Sequence, residues 1–213
     1  MTSDVWSDCA RITITAQAAS LVNLEFYALS ENIDISEGTR DTESTPLLCG
    51  GKITRLKPQE DCEITMKCYP VLGFNPTTSG TGTGLDDLFY DTLTEIETSH
   101  QYRVSSTQGT RKKFRVAILW TDEASVTNAV GALAKTTQAL RYACRNAYMT
   151  DIKRSFAADG LLSYDVTFKY PPRQKDGRLN IIIESQDASA AATLAALNTV
   201  YSTDIGGLVA GET

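Results

Sequence analysis

Histidine is the side chain best suited to moving protons near neutral pH, and the sequence has one, His100. It lies in the polar stretch Glu97-Thr98-Ser99-His100-Gln101-Tyr102, with no Gly-rich or apolar nucleophile setting around it. A Ser-His-Asp or Cys-His arrangement could run only through that residue, so His100 reads as a surface or hydrogen-bonded side chain. Cys49, Cys62, Cys68 and His100 offer zinc's preferred ligand atoms, but their gaps of 13, 6 and 32 positions match no common zinc signature. Cys62 and Cys68 alternate with Ile64 and Met66, which makes them small apolar groups on one strand face. Gly50-Gly51-Lys52-Ile53 ends like a phosphate-binding loop, yet Ile53 stands where a magnesium-binding hydroxyl is needed. Gly80, Gly82 and Gly84 neither follow a strand nor open a capped helix, and Asp86-Asp87 reads as a solvated or helix-capping pair. The residues therefore predict no catalytic centre, no cofactor and no metal.

Arg111, Lys112, Lys113 and Arg115 interleave with Phe114 and Trp120, a composition that single-stranded nucleic acids favour. Phe114, Val116, Ile118 and Trp120 share one face, however, so the aromatics read as core. Arg111, Lys113 and Arg115 fall on the other face and are expected to meet an acidic neighbour. The net charge of −6 and pI near 4.9 argue against general nucleic-acid binding. Residues 1–110 carry 16 acidic against 7 basic side chains, while residues 111–213 carry 10 against 13. That asymmetry either marks two solvated faces of different sign or lets one part of a subunit attract the opposite part of another. Five cysteines, an odd number without CxxC spacing, fit reduced thiols in an intracellular assembly better than a disulfide framework. Met1 to Ala10 lacks the apolar run of a signal peptide, and no stretch reaches the ~18 apolar residues of a membrane helix.

The elements that must position these residues are strands. Val22, Leu24, Phe26 and Ala28 alternate with polar or half-buried neighbours. Cys62 to Cys68 does the same between Pro58 and Pro70, and Phe114 to Trp120 forms a third strand. Tyr148 to Phe156 and Leu162 to Tyr170 flank Ala158-Asp159-Gly160 and predict an antiparallel hairpin, because Asp-Gly supplies the positive φ of a tight turn. Leu179 to Glu184 follows a second turn at Asp176-Gly177. Two helices are expected: one capped by Asp187 and running through Ala190, Ala191, Leu194, Leu197 and Tyr201, and a weaker one from Ala132 to Tyr142. The expected fold class is mainly β, an antiparallel β-sandwich or barrel with one or two packed helices and extended loop and terminal arms. All 213 residues are expected to form a single domain.

Gly73 to Gly84 has the composition of a flexible loop and leads into Leu85, Leu88, Phe89 and Tyr90. It is either an interaction element with an apolar far end, Phe74 included, or a solvent loop whose apolar neighbours sit in the core. Residues 203–213 read as a flexible arm.

Three ordered blocks resemble a known family. The first runs Ile33-Asp34-Ile35-Ser36-Glu37-Gly38, Arg40-Asp41-Thr42-Glu43-Ser44-Thr45-Pro46-Leu47, Gly50-Gly51-Lys52-Ile53-Thr54-Arg55, Pro58-Gln59-Glu60 and Glu63 to Val71. The second is Phe114 to Asp122, and the third joins Ala147 to Lys153, Ser155 to Gly160 and Val166 to Lys169. Together, over about residues 33–170, they resemble the major tail tube proteins of tailed double-stranded DNA viruses, particularly those infecting archaea. The resemblance implies a β-sandwich with a packed helix, in hexameric rings stacked into a hollow tube through which the genome leaves. It also implies a virion location, assembly in the host cytoplasm, other tail proteins as partners, and DNA that passes without specific binding. Head-to-tail contacts around one axis and open repetition along it need two different patches on each subunit. The loop at 73–90 (Phe74, Leu85, Leu88, Phe89, Tyr90) is the candidate inter-subunit element by this analogy, and the C-terminal arm is second. An acidic or neutral lumen wall is expected, since each neutralised phosphate would slow DNA transit.

The alternatives are a tail terminator or baseplate ring of the same fold and, from another class, a carbohydrate-binding β-sandwich. Exposed planar aromatics would favour the latter, yet most Trp and Tyr fall on apolar faces. A hydrolase comes last, for want of a base and a nucleophile.

Overall fold

Alternation of Ala10, Ile12 and Ile14 with Arg11, Thr13 and Thr15 makes Cys9–Ala16 a strand, β1, with a fully apolar inner face. The computed structural model describes residues 9–16, 22–70, 113–123, 126, 128–134, 138–156, 160, 162–173, 177, 179–187 and 193–197. β1 pairs on one side with β2 (Val22–Leu29) and on the other with β7 (Phe114–Thr121), both antiparallel. From β2 the chain passes through a short 3-10 turn (Ser30–Asn32) into β3 (Ile33–Ser36). A separate ribbon, β4 (Thr42–Pro46) and β5 (Lys52–Leu56), comes next, followed by β6 (Cys62–Pro70). β8 (Ala139–Phe156), β9 (Leu162–Tyr170) and β10 (Ile181–Gln186) complete the order.

The neighbours β1-β2-β6-β9-β8-β7 return to β1, so six antiparallel strands close on themselves. The molecule is mainly β and the expected class holds, in its barrel form. β3 adds to β6 and β10 to β8 outside this ring. The barrel interior is one apolar cluster, including Ile12, Ile14, Phe26, Ile64, Met66, Val116, Ile118, Val166 and Phe168. Aromatic edges lock it, with Phe114 against Phe168 at 6.0 Å and Phe26 against Tyr164 at 6.2 Å between ring centroids.

A second core lies outside the barrel wall. Ala117, Leu119, Ala139 and Ala143 face outward from β7 and β8 and are covered by Ala129, Val130, Leu133, Leu194 and Leu197. These belong to two chain segments, 128–134 and 193–197, that cross the wall as a strap. They bond to each other through Leu133 N–H to the Leu194 carbonyl (3.1 Å) and Leu197 N–H to the Val130 carbonyl (2.7 Å).

Both helical expectations change here. Ala139–Tyr142 begins β8, and residues 132–134 are not helical. With Ala139, Arg141 and Ala143 buried on one face and Tyr142 and Cys144 on the other, the strand shows no polar alternation and reads like a helix. Residues 193–196 are not helical either, whereas Leu197 has a helical backbone, and residues 188–192 and those after 197 lie outside the described residues. Leu194 N–H bonds Gln186 Oε1 on β10 (2.7 Å) and Leu197 N–H bonds the Val130 carbonyl across the strap (2.7 Å), and not carbonyls one turn back. Ala190, Ala191 and Tyr201 lie outside the described residues.

β8 has 18 residues and is roughly 60 Å long at the usual strand rise. Its first half pairs with β7 and β10, and its second half pairs with β9 in the predicted hairpin. Gly160 has φ +93° at that turn, which an L side chain rarely adopts. A bulge between Met149 and Asp151 leaves Thr150 unpaired in the ladder, its hydroxyl donating to the Thr167 carbonyl (3.2 Å).

Candidate assembly interface

Every residue from 39 to 58 is exposed, which singles out the β4–β5 ribbon. Its register, Thr42↔Leu56 to Pro46↔Lys52, is regular, and Glu43 faces Arg55 across it. The loop closes through Leu47 N–H to the Gly51 carbonyl (2.7 Å) and Gly50 N–H to the Leu47 carbonyl (3.0 Å). Leu48 stands wholly in solvent at the tip beside exposed Leu47 and Cys49, and Ile53 and Leu56 are exposed along the ribbon. Apolar side chains of this size are unusual on a surface projection unless something covers them.

The base of the ribbon is fixed. Glu60 N–H donates to the Thr39 carbonyl (3.0 Å), Lys57 N–H to the Asp41 carbonyl (2.8 Å), and Thr39 Oγ1 to Glu60 Oε2 (2.9 Å). Gln59 Nε2 and the Cys62 thiol both donate to the Glu37 carbonyl. Gly38 makes the crossing possible: its φ is +72°, and a Cβ there would lie 2.4 Å from the Glu60 carbonyl oxygen. A defined base and a bare shaft describe an arm held out in one direction.

Leu179, just before β10, is exposed, as is Ile183 on the face of β10 that Ile181 turns to the barrel core. Phe156, at the end of β8, is 75% exposed. These apolar groups and those of the ribbon belong to different elements.

The strap side is tied down by buried polar groups. Arg141 has no exposed side-chain surface, and its Nε and Nη2 both donate to Glu184 Oε2 (2.8 and 2.6 Å). Its Nη1 reaches the Gly131 carbonyl (2.9 Å) and Nη2 also reaches the Ala195 carbonyl (2.7 Å), so one guanidinium joins both strap segments to the barrel. Gln186 repeats the pattern, donating to the Ala134 carbonyl while accepting from Leu194 N–H.

Inside the barrel the polar groups satisfy one another. The Tyr142 and Tyr170 hydroxyls share a 2.6 Å hydrogen bond, and burial pushes both far above the ordinary phenol range. Burial also pushes the Cys68 thiol up to about 12, and raises Cys62 and Cys144, so these thiols stay protonated and unreactive. Among the described residues, no group of three or more His, Cys, Asp or Glu side chains could hold a metal ion. No helix among them is long and apolar enough to cross a membrane.

Of the inter-subunit residues expected from sequence, Phe74, Leu85, Leu88, Phe89, Tyr90 and Arg111 lie outside the described residues, as do His100 and the arm at 203–213. Lys113 is half-buried. Arg115 is 4% exposed and its Nη2 donates to Thr15 Oγ1 (2.9 Å). It is not the surface cation that strand alternation implied, because β7 is covered on both faces. The exposed ribbon residues Leu47, Leu48, Ile53 and Leu56 were not anticipated as contact residues. Gly38 and Gly50-Gly51 bracketing one Thr-rich run, with Thr39, Thr42 and Thr45, were the signal available.

No protein-family model matches the chain, and no curated protein matches its sequence. Among solved structures, it is similar to the tube-terminating cap of the anti-feeding prophage, at 14% identity over 82% of this chain and 88% of that one, with a TM-score of 0.41. It is similar to the sheath/tube terminator of PVC, an extracellular contractile injection system in its extended state, at 14% identity over 82% and 93% of the two chains, with a TM-score of 0.39. A crystal structure of Hcp protein matches at 12% identity over 88% and 98%, with a TM-score of 0.35. Likenesses of this size carry no argument about what the chain does.

Proposed function

We propose that the chain is a structural subunit that self-assembles into hexameric rings stacked as the tail tube of a tailed virus, a conduit through which DNA passes without being bound. The carrying observation is the β4–β5 ribbon, twenty consecutive exposed residues on a fixed base with an apolar tip. A two-stranded ribbon alone in water is marginal, and three or more strands or a packing surface are needed for independent stability. Docked on a neighbouring copy, the ribbon gains that surface. Fully burying one Leu or Ile side chain contributes about 1.5–3 kcal/mol, so covering even two of Leu47, Leu48, Ile53 and Leu56 is worth several kcal/mol per contact.

The ordered sequence blocks that resemble those of tail tube proteins support the rest of the reading: the stacked rings, the other tail proteins as partners, assembly in the host cytoplasm and the virion location. The acidic balance of residues 1–110 supports a lumen that does not hold phosphates. No cofactor, metal or catalytic step belongs to this role.

The test is assembly by sedimentation and negative-stain electron microscopy of wild type against Leu47→Asp/Leu48→Asp. The substitutions sit on a solvent-exposed tip, so the monomer is expected to keep its far-UV circular dichroism and melting temperature. Assembly should weaken at least tenfold in the concentration required, from the loss of apolar burial. Unchanged assembly would remove the ribbon from the interface. Single rings that never stack would assign the chain to a terminator or baseplate position.

A further inference from the structure

Backbone donors and acceptors stay open at two sheet edges. Among the described residues β10 pairs with β8 alone, so its other edge is free. The Arg145 N–H to Asn180 carbonyl bond (2.9 Å) sets the phase of that ladder. Ile182, Glu184 and Gln186 bond β8, and the backbone groups of Ile181, Ile183 and Ser185 point the other way. The ribbon is phased as clearly. Lys57 N–H to the Asp41 carbonyl (2.8 Å) and Leu47 N–H to the Gly51 carbonyl (2.7 Å) make Glu43↔Arg55 and Thr45↔Ile53 its bonded pairs. The backbone groups of Thr42, Ser44 and Pro46 then face out along β4, and those of Lys52, Thr54 and Leu56 along β5. Pro46 has no N–H, which blunts the β4 edge and leaves β5 the edge able to take a further strand. We propose that β5 of one copy adds as an antiparallel strand to the free edge of β10 on the next, so that the ribbon joins its neighbour's sheet. This pairing rests on the self-assembly proposed above and names the surface that receives the ribbon.

Side chains select the edge and the register. Residues 39–58 carry Arg40, Lys52, Arg55 and Lys57 against Asp41 and Glu43, whereas residues 179–187 carry Glu184 and Asp187 and no basic side chain. Setting Leu56 opposite Ile183 and Thr54 opposite Ser185 keeps both edges in bonding phase. The same register sets Arg55 against Glu184 and Lys52 against Asp187, and it covers the exposed Leu56 and Ile183 with each other. Glu184 keeps 27% side-chain exposure while it binds Arg141, so a second cation can approach it from outside. A two-residue shift either way takes Leu56 off Ile183 and Lys52 off Asp187. Other edges fit the ribbon less well. The isoleucines of β3 are packed against the barrel core, and its exposed positions are Asp34 and Ser36. Beyond its β7 partners β8 carries Lys153 and Arg154, which repel a basic ribbon.

Cross-linking of the full chain tests the register. Two single variants, Thr54→Cys and Ser185→Cys, are made in a Cys49→Ser background that removes the exposed thiol, then mixed and mildly oxidised. In the proposed pairing their Cα atoms lie ~5.5 Å apart, within disulfide reach. The mixture should form the disulfide-linked dimer about tenfold faster than Thr54→Cys mixed with Leu179→Cys, which this register puts roughly 20 Å away. Equal rates overturn the pairing. Should either variant fail to fold, Leu56→Cys mixed with Ile183→Cys must show the same preference over Leu56→Cys with Leu179→Cys. Electron microscopy of the wild-type chain, run alongside, keeps the two questions apart. Rings or tubes without the preferred cross-link overturn the pairing and leave the tail-tube role standing. The preferred cross-link without rings or tubes supports the pairing and removes that role, and the absence of both overturns both.

Discussion

Arg141 shows how much one side chain can organise. It has no exposed side-chain surface, yet it joins Glu184 on β10, Gly131 on one strap segment and Ala195 on the other. A buried guanidinium is tolerable only when each of its donors finds an oxygen, and here Nε, Nη1 and Nη2 all do. Arg141→Met should lower the unfolding free energy by roughly 3–5 kcal/mol, because it leaves Glu184 and two carbonyls without their partner. Adding Glu184→Leu should recover only part of the loss, since the Gly131 and Ala195 carbonyls stay unpaired. Urea denaturation of the single and double variants measures both. A loss under about 1 kcal/mol in the single variant would mean that the apolar contacts and the Gln186 and Thr13 hydrogen bonds hold the strap without Arg141. None of this was legible in the sequence, where Arg141 falls inside the weaker of the two expected helices and carries no assigned role. The strand period puts it on the face with Ala139 and Ala143, and only the strap explains why a charge lies there.

At the scale of elements, strands with one wet face were legible and strands covered twice were not. β2, β6, β9 and the second half of β8 show period-2 alternation and match their expected positions closely. β1 went unpredicted although Ile12 and Ile14 alternate with Thr13 and Thr15, because those threonines are themselves buried by neighbours far away in sequence. The first half of β8 and the 193–197 segment are Ala- and Leu-rich for the same reason: two-sided burial in tight space selects small apolar residues that also favour helix. Arg115 was placed on the correct face, but the burial of that face could not be read from β7 alone. The ribbon was hidden by its lack of any apolar pattern that a core demands. Its dependence on Gly38 is testable. Gly38→Ala introduces a Cβ 2.4 Å from a backbone oxygen at a positive φ, so the base must shift. Limited trypsin digestion should then cut faster at Lys52 and Arg55, about fivefold or more for a base weakened by about 1–3 kcal/mol, while barrel fragments persist. Equal cleavage rates in the two proteins would show that the base does not set the order of the ribbon.

For the whole molecule, ring closure and asymmetry fit together. A closed barrel removes most open strand edges, which lets the subunit stay folded while it presents other surfaces. Its two cores share β7 and β8 as a common wall, so the strap side is coupled to the barrel interior through residues such as Ala117 and Ile118 that face opposite ways. The ribbon projects from a base that the barrel strand β6 helps to fix. Distinct patches on one subunit suit heterologous contacts, which close into rings or repeat openly and do not form a simple twofold dimer. Charge is divided likewise, with acidic excess in residues 1–110 and basic excess in residues 111–213. The barrel class was legible from strand count and turns, whereas closure depended on β1 and β9 meeting partners distant in sequence.

The most direct measurement is electron microscopy of the purified wild-type chain over a rising concentration series at near-physiological salt. Hollow rings that stack into tubes are expected, with the β4–β5 ribbon of each subunit seated on a neighbour. A particle that stays monomeric at every concentration, with its ribbon still in solvent, would contradict it.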